Sequence, residues 1–196
     1  MEQERAEDAL DHLEPEEQAQ VLHELLQRHP ELRVEANEIA ASFIDDVCVE
    51  AVAADVVRRI EQADEMGFGH RAGRQRNGYV EPTQAAWDVL EESVEDIQTD
   101  MKRRVKAGMK RAAEKICQGI LIGLHTIEGT DSDGPLGWAQ DFPAETAGWT
   151  LSLLLEQYPQ DQREAAGNRV ILGIEDKDDG WIEMLERVVS RAVAKK

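Results

Sequence analysis

The residues that could do chemistry in this chain are mostly acidic. Glu91, Glu92 and Glu95 form an E-E-x-x-E pattern, and Glu61 and Asp64 form an E-x-x-D pattern. Carboxylates three or four residues apart share one helix face, where they can hold a divalent metal together. The chain has 41 acidic residues, so these spacings also arise on an ordinary solvated face. That plainer reading is adopted, and no metal site is assigned. Two loops have calcium-like spacing. Asp131-x-Asp133-Gly134 lacks a closing Glu. The run Glu175-Asp176-Lys177-Asp178-Asp179-Gly180 puts Lys177 at a ligand position, although Glu186 stands where a closing Glu would be. A turn or a helix cap accounts for both more simply.

Positive charge is scarcer and therefore more informative. His70, Arg71, Arg74 and Arg76 gather in a glycine-rich stretch. Arginine grips carboxylate or phosphate in a bidentate way. Gly67, Gly69 and Gly73 accompany them, but a glycine cradle for phosphate normally follows a strand, and no strand is readable before this one. A second cluster comprises Lys102, Arg103, Arg104, Lys106, Lys110, Arg111 and Lys115. Two readings stay open for both groups: they neutralise acidic neighbours within the fold, or they meet an anionic partner. His70, Arg71, Arg74, Arg76, Arg103 and Arg104 form the candidate contact set. No aromatic residue interleaves with the second cluster, which argues against a stacking platform for single strands. No Ser-His-Asp or Cys-His arrangement can be drawn, so no catalytic residue and no cofactor is expected. Cys48 and Cys117 fall on apolar helix faces and read as small buried hydrophobes. Two cysteines and five histidines do not make a zinc site.

These residues must be positioned by helices. The chain is organised around 83–127, a long helix, a turn and a more apolar helix. Trp87, Leu90, Val94, Ile97 and Met101 give the first helix a narrow seam. Gly108 can take the left-handed conformation that ends it. Ala112, Ala113, Ile116, Cys117, Ile120, Leu121, Leu124 and Ile127 make the second stripe wider, hence more buried. Gly119 and Gly123 on it would allow a neighbouring helix to come close. Before this hairpin, Pro15 opens a helix with Val21, Leu22, Leu25 and Leu26 on its apolar face. His29-Pro30 leads to a second helix, and Val49, Val52, Ala53, Val56 and Ile60 mark a third. After it, helices begin at Pro143 and near residue 160, and a last one carries Trp181, Ile182, Leu185 and Val189, with Asp178 or Asp179 as its cap. Residues 1–14 form a lead-in, and 65–82 and 128–142 read as long loops. Ala86-Trp87, Gly148-Trp149 and Gly180-Trp181 give a faint internal echo at intervals of 62 and 32 residues.

Composition sets the frame. Only 5% of residues are aromatic, and Gly and Pro concentrate at junctions, which favours helix over strand. The net charge of −19 repels nucleic acid in general, and a salt-loving source would also produce it. No apolar run approaches the roughly 20 residues of a membrane span. The acidic start MEQERAEDAL does not look like a secretory signal. A cytoplasmic protein is expected.

The run VKAGMKRAAEKICQGILIGLH resembles the second helix of tetratricopeptide-type hairpins, with Gly108 at the turn and Ala112 at the close crossing. The helical series over 15–190 is similar to the α-solenoid segments that accompany SWIM zinc fingers. The cysteines of that finger are absent here, so its metal chemistry does not carry over. The resemblance implies a stack of antiparallel helices, tetratricopeptide- or HEAT-like, that binds other macromolecules. The acidic patterns are also similar to the metal-binding pairs of all-α nucleotide pyrophosphatases. In that family the E-x-x-D helix follows the E-E-x-x-E helix, whereas here it precedes it.

The expectation is an all-α chain, 1–196 as one domain, with about seven or eight helices stacked as a short α-solenoid or irregular bundle. The expected function is a non-catalytic interaction module or adaptor with a protein partner. A metal-dependent all-α hydrolase of phosphorylated small molecules is the first alternative. A nucleic-acid-associated accessory protein is the second.

Overall fold

The computed structural model describes residues 10, 12–45, 47–66, 71–76, 78–130, 132–175 and 180–195. The chain is all-α, with nine α-helices and one two-stranded sheet among these residues. It divides into two compact units, 1–44 and 45–196.

The first unit holds α1 (Pro15–Arg28), a 3-10 turn (Pro30–Leu32) and α2 (Arg33–Asp45). Pro15 sits at the first helical position, where its missing N–H costs nothing. The Glu14 backbone N–H donates to the Glu17 side chain at 3.0 Å, which satisfies one end of the helix start. The apolar residues Val21, Leu22 and Leu25 are exposed, and α1 buries no residue at all. Periodicity located this face but could not supply anything to cover it.

The second unit contains the core. Its elements are α3 (Val49–Met66), β1 (Gly73–Gln75), β2 (Gly78–Val80), α4 (Pro82–Lys106), α5 (Lys110–Ile127), α6 (Pro135–Trp138), α7 (Phe142–Leu155), α8 (Gln160–Ile171) and α9 (Trp181–Ala194). Helix α5 is central and packs against α3, α4, α7 and α8. Its wide stripe is buried as expected, with Ala112, Ala113, Cys117, Ile120, Leu121 and Leu124 fully enclosed. The turn between α4 and α5 is a Schellman motif. Gly108 has φ +82°, its N–H donates to Val105 O at 2.9 Å, and the Met109 N–H donates to Arg104 O at 2.9 Å.

Gly119 and Gly123 make the α3–α5 crossing possible. A Cβ at Gly119 would lie 2.6 Å from Val52 Cβ and 2.8 Å from the Val49 carbonyl. At Gly123 it would lie 2.7 Å from Val56 Cβ and 2.8 Å from the Ala53 carbonyl. Backbone and β-branched atoms cannot move aside, so only glycine fits at either position.

Four expectations change. The stretch 65–82 is not wholly irregular: three-residue strands pair antiparallel, with Gly73 opposite Val80, Arg74 opposite Tyr79 and Gln75 opposite Gly78. Such strands are too short to show alternation, so no period revealed them. The stretch 128–142 carries α6, and Leu136, Ala139 and Phe142 belong to the core. Cys117 is buried, but Cys48 is exposed, because it precedes α3 instead of lying on its packed face. At the last helix, Gly180 with φ +82° occupies the cap position, while Asp178 and Asp179 lie outside the described residues.

Candidate functional site, a groove over helix α7

Helix α7 packs between α4 and α9 and forms the floor of a groove. Its position is fixed from below. Gln98 Nε2 on α4 donates to the buried Thr150 Oγ1 at 2.7 Å. Phe142, at the start of α7, meets Trp87 of α4 edge to face at 5.2 Å. On the other side Gly148 faces α9, with Val188 Cγ2 3.5 Å from where a Cβ would stand. The C-terminus of α9 is held by α8: Arg163 Nη1 donates to the carbonyls of Ala192 (2.7 Å) and Lys195 (3.2 Å), and Gln160 Nε2 donates to Val193 O at 2.8 Å. These bonds satisfy carbonyls that a helix end leaves open.

The resulting groove has a volume of about 1300 Å³. One wall is acidic. Asp88, Glu91, Glu92 and Glu95 follow one stripe of α4 and are all exposed. The opposite wall is basic, with Arg187 and Arg191 on α9 and Lys195 just past its end. Between them lie Trp149, Leu153, Met184 and Val188. Trp149 is 61% exposed, a large apolar surface left open beside an otherwise well-buried core. Contiguous exposed apolar surface rimmed by charge marks a place where something else binds.

Arg71 borders this groove. Its Nη1 donates to Glu92 Oε1 at 2.7 Å, which ties the β-hairpin region to α4. That bond holds the Glu92 carboxyl below the usual glutamate range and raises the Arg71 guanidinium further. The E-E-x-x-E carboxylates therefore face the groove, and one of them already has a cationic partner. Among the described residues no three His, Cys, Asp or Glu side chains converge as a metal cage would require. Asp64, Asp131 and residues 176–179 contribute nothing to that statement, since their side chains lie outside what is described.

The other candidate contact residues are dispersed. His70 lies outside the described residues. Arg74 and Arg76 are exposed on the hairpin. Arg103 and Arg104 turn to Asp100 instead: Arg103 Nη2 is 2.6 Å from Oδ1 and Arg104 Nε 2.8 Å from Oδ2. Partial burial pushes Asp100 up, and these two hydrogen bonds outweigh it, so its carboxyl sits below the usual aspartate range. Both arginines neutralise a neighbour within the fold.

From the rest of the basic segment, Arg111 reaches Glu114, a buried acid on α5. Arg169 Nε and Nη2 donate to its two oxygens at 3.0 and 2.5 Å, Tyr158 Oη donates at 2.8 Å, and Arg111 Nη1 at 3.2 Å. Burial pushes Glu114 up, but the bonds from Arg169 and Tyr158 prevail and leave its carboxyl below its ordinary value. Burial, and then the hydrogen bond to Glu114 and its charge, push the Tyr158 hydroxyl well above its ordinary value. This network locks α5 to α8 and to the α7–α8 junction, and none of its residues lines the groove.

Sequence reasoning missed most of the groove. Arg187 and Arg191 stand four apart on the last helix and Lys195 follows just past its end, which was a readable signal for one basic face. The pairing of that face with the α4 acids across α7 is a tertiary fact with no local trace. No protein-family model matches the chain, and no curated protein or solved structure matches it either.

Proposed function

We propose that this chain is a non-catalytic interaction module of the helical-repeat kind, and that the unit 45–196 holds a protein partner in the groove over α7. One observation carries the reading: Trp149, Leu153, Met184 and Val188 form an open apolar floor between charged walls. The groove also exceeds the ~300–1,000 Å³ of an ordinary small-molecule pocket, while it suits a chain segment. The helical hairpin α4–α5, stacked on α3 and α7, is the kind of packing the tetratricopeptide or HEAT resemblance implies. The acidic α4 stripe repels phosphate, so a nucleic-acid partner would have to avoid this face.

The test uses the full chain as bait in an extract of its native source, beside the double variant Trp149→Ala/Leu153→Ser. The expected result is a protein retained in near-stoichiometric amount by the wild type and lost by the variant, at equal melting temperature. Magnesium-dependent release of pyrophosphate from a nucleoside triphosphate, abolished in Glu92→Gln and Glu95→Gln, would replace this reading with a hydrolase.

A further inference from the structure

The groove over α7 is electrically divided, and the division constrains what can lie in it. It is lined by six acidic and six basic residues, a balance unlike the −19 of the whole chain. Some of these charges are already paired, Arg71 with Glu92 at 2.7 Å and Lys195 with Glu156 at 3.3 Å, and Lys102 stands further along α4, but the remainder divide between the two walls. Asp88, Glu91, Glu92 and Glu95 occupy the α4 side at intervals of three and four residues, and Arg187 and Arg191 occupy the α9 side four residues apart, with Lys195 just past the helix end. Both intervals are helical, so Asp88, Glu91 and Glu95 make a net acidic rail on one wall and Arg187 and Arg191 a net basic rail on the other, with the apolar strip of α7 and α9 between the rails. An occupant of uniform charge would be attracted by one rail and repelled by the other. An uncharged apolar occupant would leave both rails desolvated and unpaired, which costs free energy.

The shape narrows the choice further. A second copy of this chain would bring the same hollow to the interface, and two facing hollows leave a void. A strand has no free sheet edge to join here, since the floor is a helix. An α-helix is about 10–12 Å across and presents an apolar stripe flanked by two edges, which is the complement of a floor between two rails.

Resting on the interaction reading above, we infer that the groove receives an amphipathic α-helix of a partner protein, with a cationic edge toward α4 and an anionic edge toward α9. Its apolar stripe covers Trp149, Leu153, Met184 and Val188. The arrangement also makes binding salt-sensitive without net attraction between the proteins, because the pairs act at short range within the groove.

The test uses the intact chain and three synthetic helical peptides of about 18 residues, roughly five turns. All share one leucine stripe. One has a lysine edge and a glutamate edge, one has lysine on both edges, and one has glutamate on both. Binding is read from anisotropy of a labelled peptide. The mixed-edge peptide should bind about tenfold tighter than either uniform peptide, the sum of a few modest exposed ion pairs. Reversing one wall, by Glu91→Lys/Glu95→Lys or by Arg187→Glu/Arg191→Glu, should remove that preference. Reversing both walls together should restore it, since the helix can then lie in the opposite direction. This rescue keeps the test valid even if one reversal alone disturbs folding. Equal binding of all three peptides, or preference for a uniform edge, would overturn the inference. If that happened while Trp149→Ala/Leu153→Ser still lost the native partner, the interaction reading would stand and only the helix would fall.

Discussion

Glu114 carries the clearest chemistry of any single residue, and it is structural. Its side chain is 6% exposed, and it accepts bonds from Arg169, Tyr158 and Arg111. Because its carboxyl is depressed in the fold, its contribution to stability is complete above the ordinary glutamate range. It is lost as pH falls through the lowered folded value. Glu114→Gln should therefore cost about 1–3 kcal/mol at neutral pH, a range reduced because Arg169 is partly exposed. The gap between wild type and variant should close in acid, as seen in urea midpoints taken from pH 7 downward. A second prediction concerns the thiols. Burial pushes the Cys117 thiol up, while Cys48 is exposed. An alkylating reagent should modify Cys48 in the native protein and reach Cys117 only after unfolding. Arg71→Ala removes an exposed pair and should leave the melting temperature unchanged, because such pairs contribute little. Glu114 was visible in the sequence only as an acid among lysines and arginines. The fold buries it beside Ala113 on α5, and its partner Arg169 lies 55 residues away. Distance along the chain hides such pairs.

At the scale of elements, the α3–α5 crossing is the feature whose sequence signal was strongest. Two glycines four apart on a wide apolar stripe announced a close approach, and Val52 and Val56 provide the opposing surface. Gly123→Leu should destabilise by about 1–3 kcal/mol, as overpacked cores do. Helix propensity alone would favour leucine by somewhat under 1 kcal/mol, so the sign of the change discriminates. Gly148 provides the contrast. A Cβ there would make only an ordinary contact at 3.5 Å, so Gly148→Ala should stabilise by about 0.5–1 kcal/mol through helix propensity. A urea series on both variants checks the pair. The helix starts at Pro15 and the stop at Gly108 were legible because proline and glycine act through their own backbones. The strands at 73–80 and the four-residue α6 were not, since neither is long enough to carry a period.

For the whole molecule, composition and periodicity were enough to place the chain in the all-α class, because helical stripes recur across nearly its full length. They could not show that, among the described residues, the buried core belongs to 45–196. The stripe of α1 looks as apolar as those of the core helices, and pattern alone does not say whether a face is covered. A fragment spanning 45–196 should therefore unfold cooperatively in urea, with nearly the midpoint of the intact chain. The groove was equally hidden, because its walls come from helices about a hundred residues apart in sequence. No described helix is long and apolar enough to cross a membrane. The central claim is that partner binding occurs over α7, and hydrogen exchange of the full chain with and without its co-purified partner tests it most directly. New protection should appear in Gly148–Glu156 and Met184–Ala192, the floor and the α9 wall. Protection confined to the hairpin at Arg74–Tyr79, with the groove helices exchanging as in the free protein, would contradict the account.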